Sequence, residues 1–232
     1  MNYTLDFSWL QGSLPMLWSG LQATVFLTVV ACALGSLVGI VGALGRNSAW
    51  LPFRAAATAY VEAIRNTPLL AQAFLIYFGL PALGISLTPM VAAGLALTIN
   101  CGAYTAEIFR AGFEAIQKSQ HEAATALNLS RRQTFLHIVL PQAFRSVYPA
   151  LSAQFVLILM ASSITSQISA EEISAAANQI QSTSFRGFEV YLLISLVYLA
   201  MVLAMKSLFS LIGGFLLRNS AGGRLVAERA AP

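Results

Sequence analysis

The sequence predicts an all-α integral membrane protein of about five transmembrane helices, and three observations carry that prediction. The 232 residues are 57% hydrophobic and only 9% charged, whereas a water-covered globular surface takes roughly a quarter charged residues. The mean hydropathy is +0.72, and the apolar residues gather into long blocks instead of alternating as on half-buried strands, which selects helices over a barrel. The basic residues collect in alternate connections between those blocks, which puts the N-terminus outside and the C-terminus inside.

Each element follows in order. Met1 to Met16 holds Asp6 but no Lys or Arg, so it lacks the positive segment of a cleavable signal peptide, and Trp9 and Trp18 read as interfacial anchors. The first span covers approximately residues 17–44 without a charge; about 28 residues rise about 42 Å, enough to cross the hydrocarbon core with tilt. Gly35 and Gly39 sit one turn apart in it, which suits close approach of a second helix. Arg46 and Arg54 bracket a short loop with Pro52, and the second span returns over 55–80. The loop 81–89, with two prolines and Gly84, reverses the chain. A third span, 90–109, leads to a polar segment, 110–145, too charged to lie in lipid. A fourth span over 147–168, a polar stretch with Glu171, Glu172, Arg186 and Glu189, and a fifth span over 191–217 complete one transmembrane domain spanning 1–232. Ser220 to Pro232 reads as a mobile tail.

Sorted by connection, Arg46, Arg54, Arg110, Lys118, Arg131, Arg132, Arg145, Arg218, Arg224 and Arg229 fall on one side and only Arg186 on the other. The rich side is cytoplasmic. The net charge of +4 is thereby loop bias, and nucleic acid is not an expected partner. Cys32 and Cys101 lie within apolar stretches and read as small packing residues, not as a bridge or a metal site. His121 and His137 lack metal-ligand neighbours and read as surface or packing residues of the polar segment.

Within that segment Ser119-Gln-His-Glu122 reads as a capping box, and Ser130-Arg-Arg-Gln133 repeats the device, so two short helices are expected, the second running until Pro141 ends it. Asn128 lies between them and tolerates the left-handed conformation that closes a helix. The product is a helix-turn-helix elbow in which Ala123, Ala124, Leu127 and Leu129 offer a small apolar surface for a partner's groove. A solvated connection between two spans fits the same spacing.

Glu122-Ala-Ala124, then Asn128, then Ile138-Val-Leu140-Pro141 resembles the EAA signature of the permease subunits of bacterial binding-protein-dependent ABC importers, with Asn128 where that signature has Gly. Glu62-Ala-Ile-Arg65-Asn-Thr-Pro68-Leu-Leu70, Asn100 through Arg110 and Phe185 through Tyr191 are similar to the polar amino acid uptake branch, so the resemblance covers nearly the whole chain. It implies a multi-pass protein of the bacterial inner membrane working with a second permease subunit, two ATPase subunits and an external solute-binding protein. Glu122, Ala123, Ala124, Asn128, Ser130, Ile138, Leu140 and Pro141 would then form the coupling element that seats in the ATPase. ATP and Mg would enter only through that partner, because this chain has no GxxxxGK[ST] phosphate loop and no catalytic, cofactor or metal residues are expected in it. Many relatives carry a Lys-Asp pair where this chain has Met160-Ala161, so that pair's role is absent here or supplied by a second, non-identical permease.

The expected path for a polar amino acid, or another small polar solute, is a stripe on the third span, Asn100, Tyr104 and Glu107, at i, i+4 and i+7. Gln154, Ser162, Ser163 and Gln167 of the fourth span add neutral hydrogen-bonding groups, although helix-to-helix bonding explains any single Ser or Thr as well. Glu62 with Arg65, and Glu107 with Arg110, are one turn apart and read as self-neutralising pairs with gating or structural roles, a role also expected of Pro68 within the second span. Lys206 lies about 18 Å deeper than Arg218, and either faces the bundle or snorkels. A secondary transporter is the alternative class. It would require an internal repeat, which is not found, and would leave the elbow without a purpose.

Overall fold

The structure, a computed structural model, describes residues 4–218, without the side chains of His121 and of residues 216–218. The tail from Ser220 and the surface or packing role of His121 therefore lie outside the described residues. Helix α1 (Leu10–Arg46) is a single 37-residue rod that begins seven residues before the apolar block, in turns that carry Pro15. Its two ends define the two ends of the bundle.

Helix α4 (Pro89–Glu114) is the hub, with 61% of its apolar window buried against 17% for the last helix. Close approach of α1 to α4 rests on glycine. A Cβ built on Gly35 would stand 2.6 Å from Cys101 Cβ, and one on Gly39 2.0 Å from Thr105 Oγ1, so both helices meet backbone to side chain as the small-residue spacing suggests. Thr105 Oγ1 also lies 2.8 Å from Cys101 O and 3.1 Å from Gly35 O, which places its single proton between its own helix and the neighbour. Alanines 31, 92, 93 and 96 and both cysteines fill this seam, the cysteines as free, buried packing groups.

The second span is not one straight helix. Helix α2 (Leu51–Arg65) and helix α3 (Leu69–Phe74, extended by a π turn over Leu75–Gly79 and a 3₁₀ turn over Leu80–Leu83) meet at 111°. Pro68 causes the break: it has no N–H for the ladder and its ring pushes Thr67 out of the helical region. Four helices are long and apolar enough to cross a membrane, and the bent pair makes up to five among the described residues.

Helix α5 (Lys118–Ala126) leads through Asn128, at φ 56°, to helix α6 (Arg131–Thr134). Pro141 does not end α6. A π turn over Phe135–Val139 carries the helix on into α7 (Leu140–Ala161), because its wider i→i+5 bonding, seen in Leu140 N–H to Phe135 O, makes room for a proline ring at the start of the following stretch. Helix α7 tightens into a 3₁₀ stretch, Ser162–Ile168, and stops at Ser169, φ 61°.

The polar stretch expected between the last two spans contains helix α8 (Ile173–Ser184), packed on α1 and on α9 (Gly187–Arg218). Its buried Ile173, Ala176, Ala177 and Ile180 stand at i, i+3, i+4 and i+7, a helical signal visible in the sequence beneath the surrounding Ser, Asn and Gln.

Candidate functional site

Three groups of side chains bear on function, and the first is the elbow. Ser130 forms the expected capping box, with its backbone N–H donating to Gln133 Oε1 at 2.9 Å and its Oγ accepting from Gln133 N–H at 3.3 Å. The box expected at Ser119 is absent. Helix α5 is capped at Gln117, Ser119 Oγ donates to Gln117 Oε1, and the Glu122 carboxylate is exposed with no hydrogen-bond partner among the described residues. The carboxylate is thus held ready on the surface instead of closing its own helix.

Leu129 N–H donates to Ala124 O at 3.0 Å and Leu127 N–H to Ala123 O at 3.0 Å, so Asn128 in the left-handed region lets the last carbonyls of α5 be satisfied. Ala123 and Leu127 are exposed, Leu127 at 71%. Ala124 is buried and Leu129 half-buried, so the elbow's free apolar surface is smaller than the sequence suggests. Ile138 is half-buried while Leu140 and Pro141 reach the surface. The elbow is tied to the rods by Phe113 stacked on Phe135, centroids 6.3 Å apart, and by Gln142 Nε2 donating to Gln120 Oε1 at 3.3 Å. His137 donates from Nδ1 to Gln133 O at 3.1 Å, along its own helix.

The second group is a charged clamp at the same end of the bundle. Glu107 of α4 accepts from Arg46 Nη1 of α1 at 2.6 Å, pairs with Arg110 one turn on, and lies 3.6 Å from Arg65 Nη1 of α2. Glu62 and Arg65 do not neutralise each other as the spacing suggests; Glu62 pairs with Arg46 at 3.4 Å, and Arg65 stacks over the Tyr104 ring at 5.5 Å. The bend after Arg65 turns the end of α2 toward α4, so partners come from across the bundle. Glu107 is the node joining three helices, and Arg46, read only as a loop charge, is its closest cross-helix partner.

The third group is the polar interior. Asn100, 8% exposed, donates from Nδ2 to Gln72 Oε1 at 3.1 Å, and Gln72 Nε2 lies 2.8 Å from Ile64 O, 3.0 Å from Thr67 O and 2.9 Å from Thr67 Oγ1. Gln72 therefore pins both sides of the Pro68 break, a role no local spacing reveals. Ser162 is fully buried and donates to Leu159 O at 2.7 Å, and Ser163 donates to Met160 O at 2.7 Å, both within the 3₁₀ stretch. Gln154 is buried and Gln167 exposed. Lys206 is exposed beside a groove of about 380 Å³ between α7 and α9 that Tyr148, Ser152 and Phe209 also line.

At the opposite end two carboxylates are fully buried. Glu172 caps α8 by accepting from Ala175 N–H at 3.0 Å and accepts from Tyr198 OH at 3.0 Å; burial pushes its carboxyl up from the ordinary value. Glu189 accepts from Asp6 N–H at 3.1 Å, while Arg186 bridges Asp6 at 3.3 Å and Glu189 at 3.6 Å. Asp6 is held below its ordinary range, chiefly by the Ser8 backbone N–H and further by Arg186.

Residues 35–220 match the family described as "Binding-protein-dependent transport system inner membrane component". The chain is 35% identical over 206 residues to the probable glutamine ABC transporter permease protein GlnM of Bacillus subtilis (strain 168), covering 89% of this chain and 94% of that one. It is likewise 35% identical over 200 residues to the arginine transport system permease protein ArtQ of the same organism, covering 86% and 91%. Among solved structures, an amino acid ABC transporter with histidines superposes with a TM-score of 0.85 at 38% identity, over 90% of this chain and 98% of that one. The MetNI methionine ABC transporter, at 18% identity and a TM-score of 0.64, shares the fold over 85% of this chain and 96% of that one. With the match covering most of its length and the bundle and elbow in place, the chain belongs to the family of inner membrane components of binding-protein-dependent transport systems.

Proposed function

We propose that this chain is the permease subunit of an ATP-driven importer of polar amino acids, with its N-terminus outside and its elbow in the cytoplasm. It forms the path with a second permease copy, identical or paralogous, and receives substrate from an external binding protein. Two separate ATPase subunits bind ATP and Mg and act on the elbow. The observation that carries this reading is the elbow itself: Glu122 and Leu127 stand exposed on α5, while Gln120, Phe135 and the unbroken α6–α7 rod connect that surface to the bundle. A push on α5 therefore reaches α4 and α7 as rigid motion. Amino acids as cargo follow from the glutamine and arginine permeases among the relatives.

Proteoliposomes holding the full complex are expected to accumulate labelled glutamine or arginine only with internal ATP and external binding protein. Glu122→Lys is expected to lower uptake by roughly tenfold or more while leaving the bundle intact, since its carboxylate holds no partner among the described residues. Uptake driven by an ion gradient without ATP would sink the reading, and normal uptake by Glu122→Lys at normal expression would sink the docking role of the elbow.

A further inference from the structure

We propose that the cavity between α1, α2 and the end of α4 binds the phosphate of an anionic phospholipid headgroup. The cavity measures about 600 Å³ and is lined by Arg46, Arg54 and Arg110, with Asn47, Thr58 and Glu114 among its other walls. Three arginines and one glutamate line it, while Glu62 and Glu107 pair with the lining arginines from outside the lining. Two of them are already fixed in position, Arg46 by Glu107 and Glu62, and Arg110 by Glu107 and Glu114. Arg54 is different: its side chain is exposed and makes no hydrogen bond or ion pair among the described residues, so its planar donor fork is free for a phosphate. The N-terminus of the 15-residue α2 adds to the field, because Trp50 at its cap supplies no side-chain acceptor to the first turn, and Leu51 of that turn lines the cavity.

The surroundings choose a lipid over a free anion. The cavity sits where the apolar run of α1 ends at Arg46, which is the headgroup level of a spanning helix. Leu51 in its wall is 62% exposed and the adjoining Trp50 67%, an apolar and aromatic rim that a soluble phosphate has no use for and an acyl chain does. Basic pockets between membrane helices of this kind take anionic headgroups. A lipid seated there offsets the excess positive charge beside the α1–α2–α4 clamp.

The test is native mass spectrometry of the full-length chain, extracted in detergent and titrated with phosphatidylglycerol or phosphatidylcholine. Phosphatidylglycerol is expected to be retained roughly fivefold better, Arg54→Gln to reduce that preference by about threefold, and inorganic phosphate not to displace the lipid. Arg54→Gln removes no side-chain hydrogen bond or ion pair among the described residues, so its thermal midpoint should match the parent, and Lys118→Gln, an exposed charge outside the cavity lining, should keep the preference. Equal retention of the two lipids, an unchanged preference in Arg54→Gln, or an equal loss in Lys118→Gln would overturn the proposal. Displacement by phosphate would also overturn it and reassign the cavity to a free anion.

Discussion

At the residue scale, buried polar groups show what the bundle requires of single side chains. Gln72 connects α3 to the end of α2 and to Asn100, and the bend at Pro68 leaves carbonyls that would otherwise lack donors. Glu172 has a different consequence. Its carboxyl is raised above the ordinary glutamate value by burial, so the fold holds the proton more tightly than the unfolded chain does. Stability from this group is therefore fully present at low pH and declines as pH rises above 4.5 through the raised folded value. Glu172→Gln keeps an oxygen for the Ala175 N–H and removes the ionisation. The thermal midpoint of the variant relative to the parent should thus rise between pH 5 and pH 8 in detergent. A difference that stays flat over that range would mean that the carboxylate is already ionised in the fold.

At the element scale, the seam between α1 and α4 and the break between α2 and α3 decide how the helices meet. Gly39 has no room for a side chain, since its Cβ would fall on Thr105 Oγ1 with Ala106 N 3.0 Å away. Gly39→Leu is expected to separate α1 from α4 and to cost more than about 3 kcal/mol, an overpacking at the top of the usual range. Loss of the folded chain from the membrane, or a monodisperse peak shifted to lower thermal midpoint, is the readout. A variant of parental stability would show that α1 is free to tilt away. The break was only partly legible: Pro68 stands in the sequence, but an apolar run from 55 to 80 reads as continuous because hydropathy does not register direction. Pro141 gave the opposite lesson, since a proline that reads as a stop is absorbed by a π turn that ends two residues earlier, at Val139.

At the scale of the whole molecule, the distribution of exposed side chains is that of a lipid-bathed bundle. Leu37, Leu44, Leu203, Leu211 and Phe215 all point outward, at 54% exposure or more, which water would not tolerate over so long a face. Ion-pair clusters lie at the two ends, Glu107 with its three arginines at one and Asp6, Arg186 and Glu189 at the other. On the proposed function, the elbow is where an ATPase subunit would dock. Extraction of the tagged chain in mild detergent is accordingly expected to recover a P-loop ATPase and a second permease, with ATPase activity in the eluate. A lone chain without ATPase activity would move belief to a secondary transporter.

The sequence by itself determined that the chain is a bundle of apolar helices, where its polar elbow lies, the capping box at Ser130 and the left-handed turn at Asn128, because length, hydropathy and capping are local properties of consecutive residues. Only the tertiary structure decided who partners whom. Arg65 passes over Glu62 for Glu107, Gln72 meets Asn100, and Glu172 and Glu189 are sealed inside, because these contacts join residues far apart in the chain whose positions depend on the bend at Pro68 and on how α8 packs between α1 and α9.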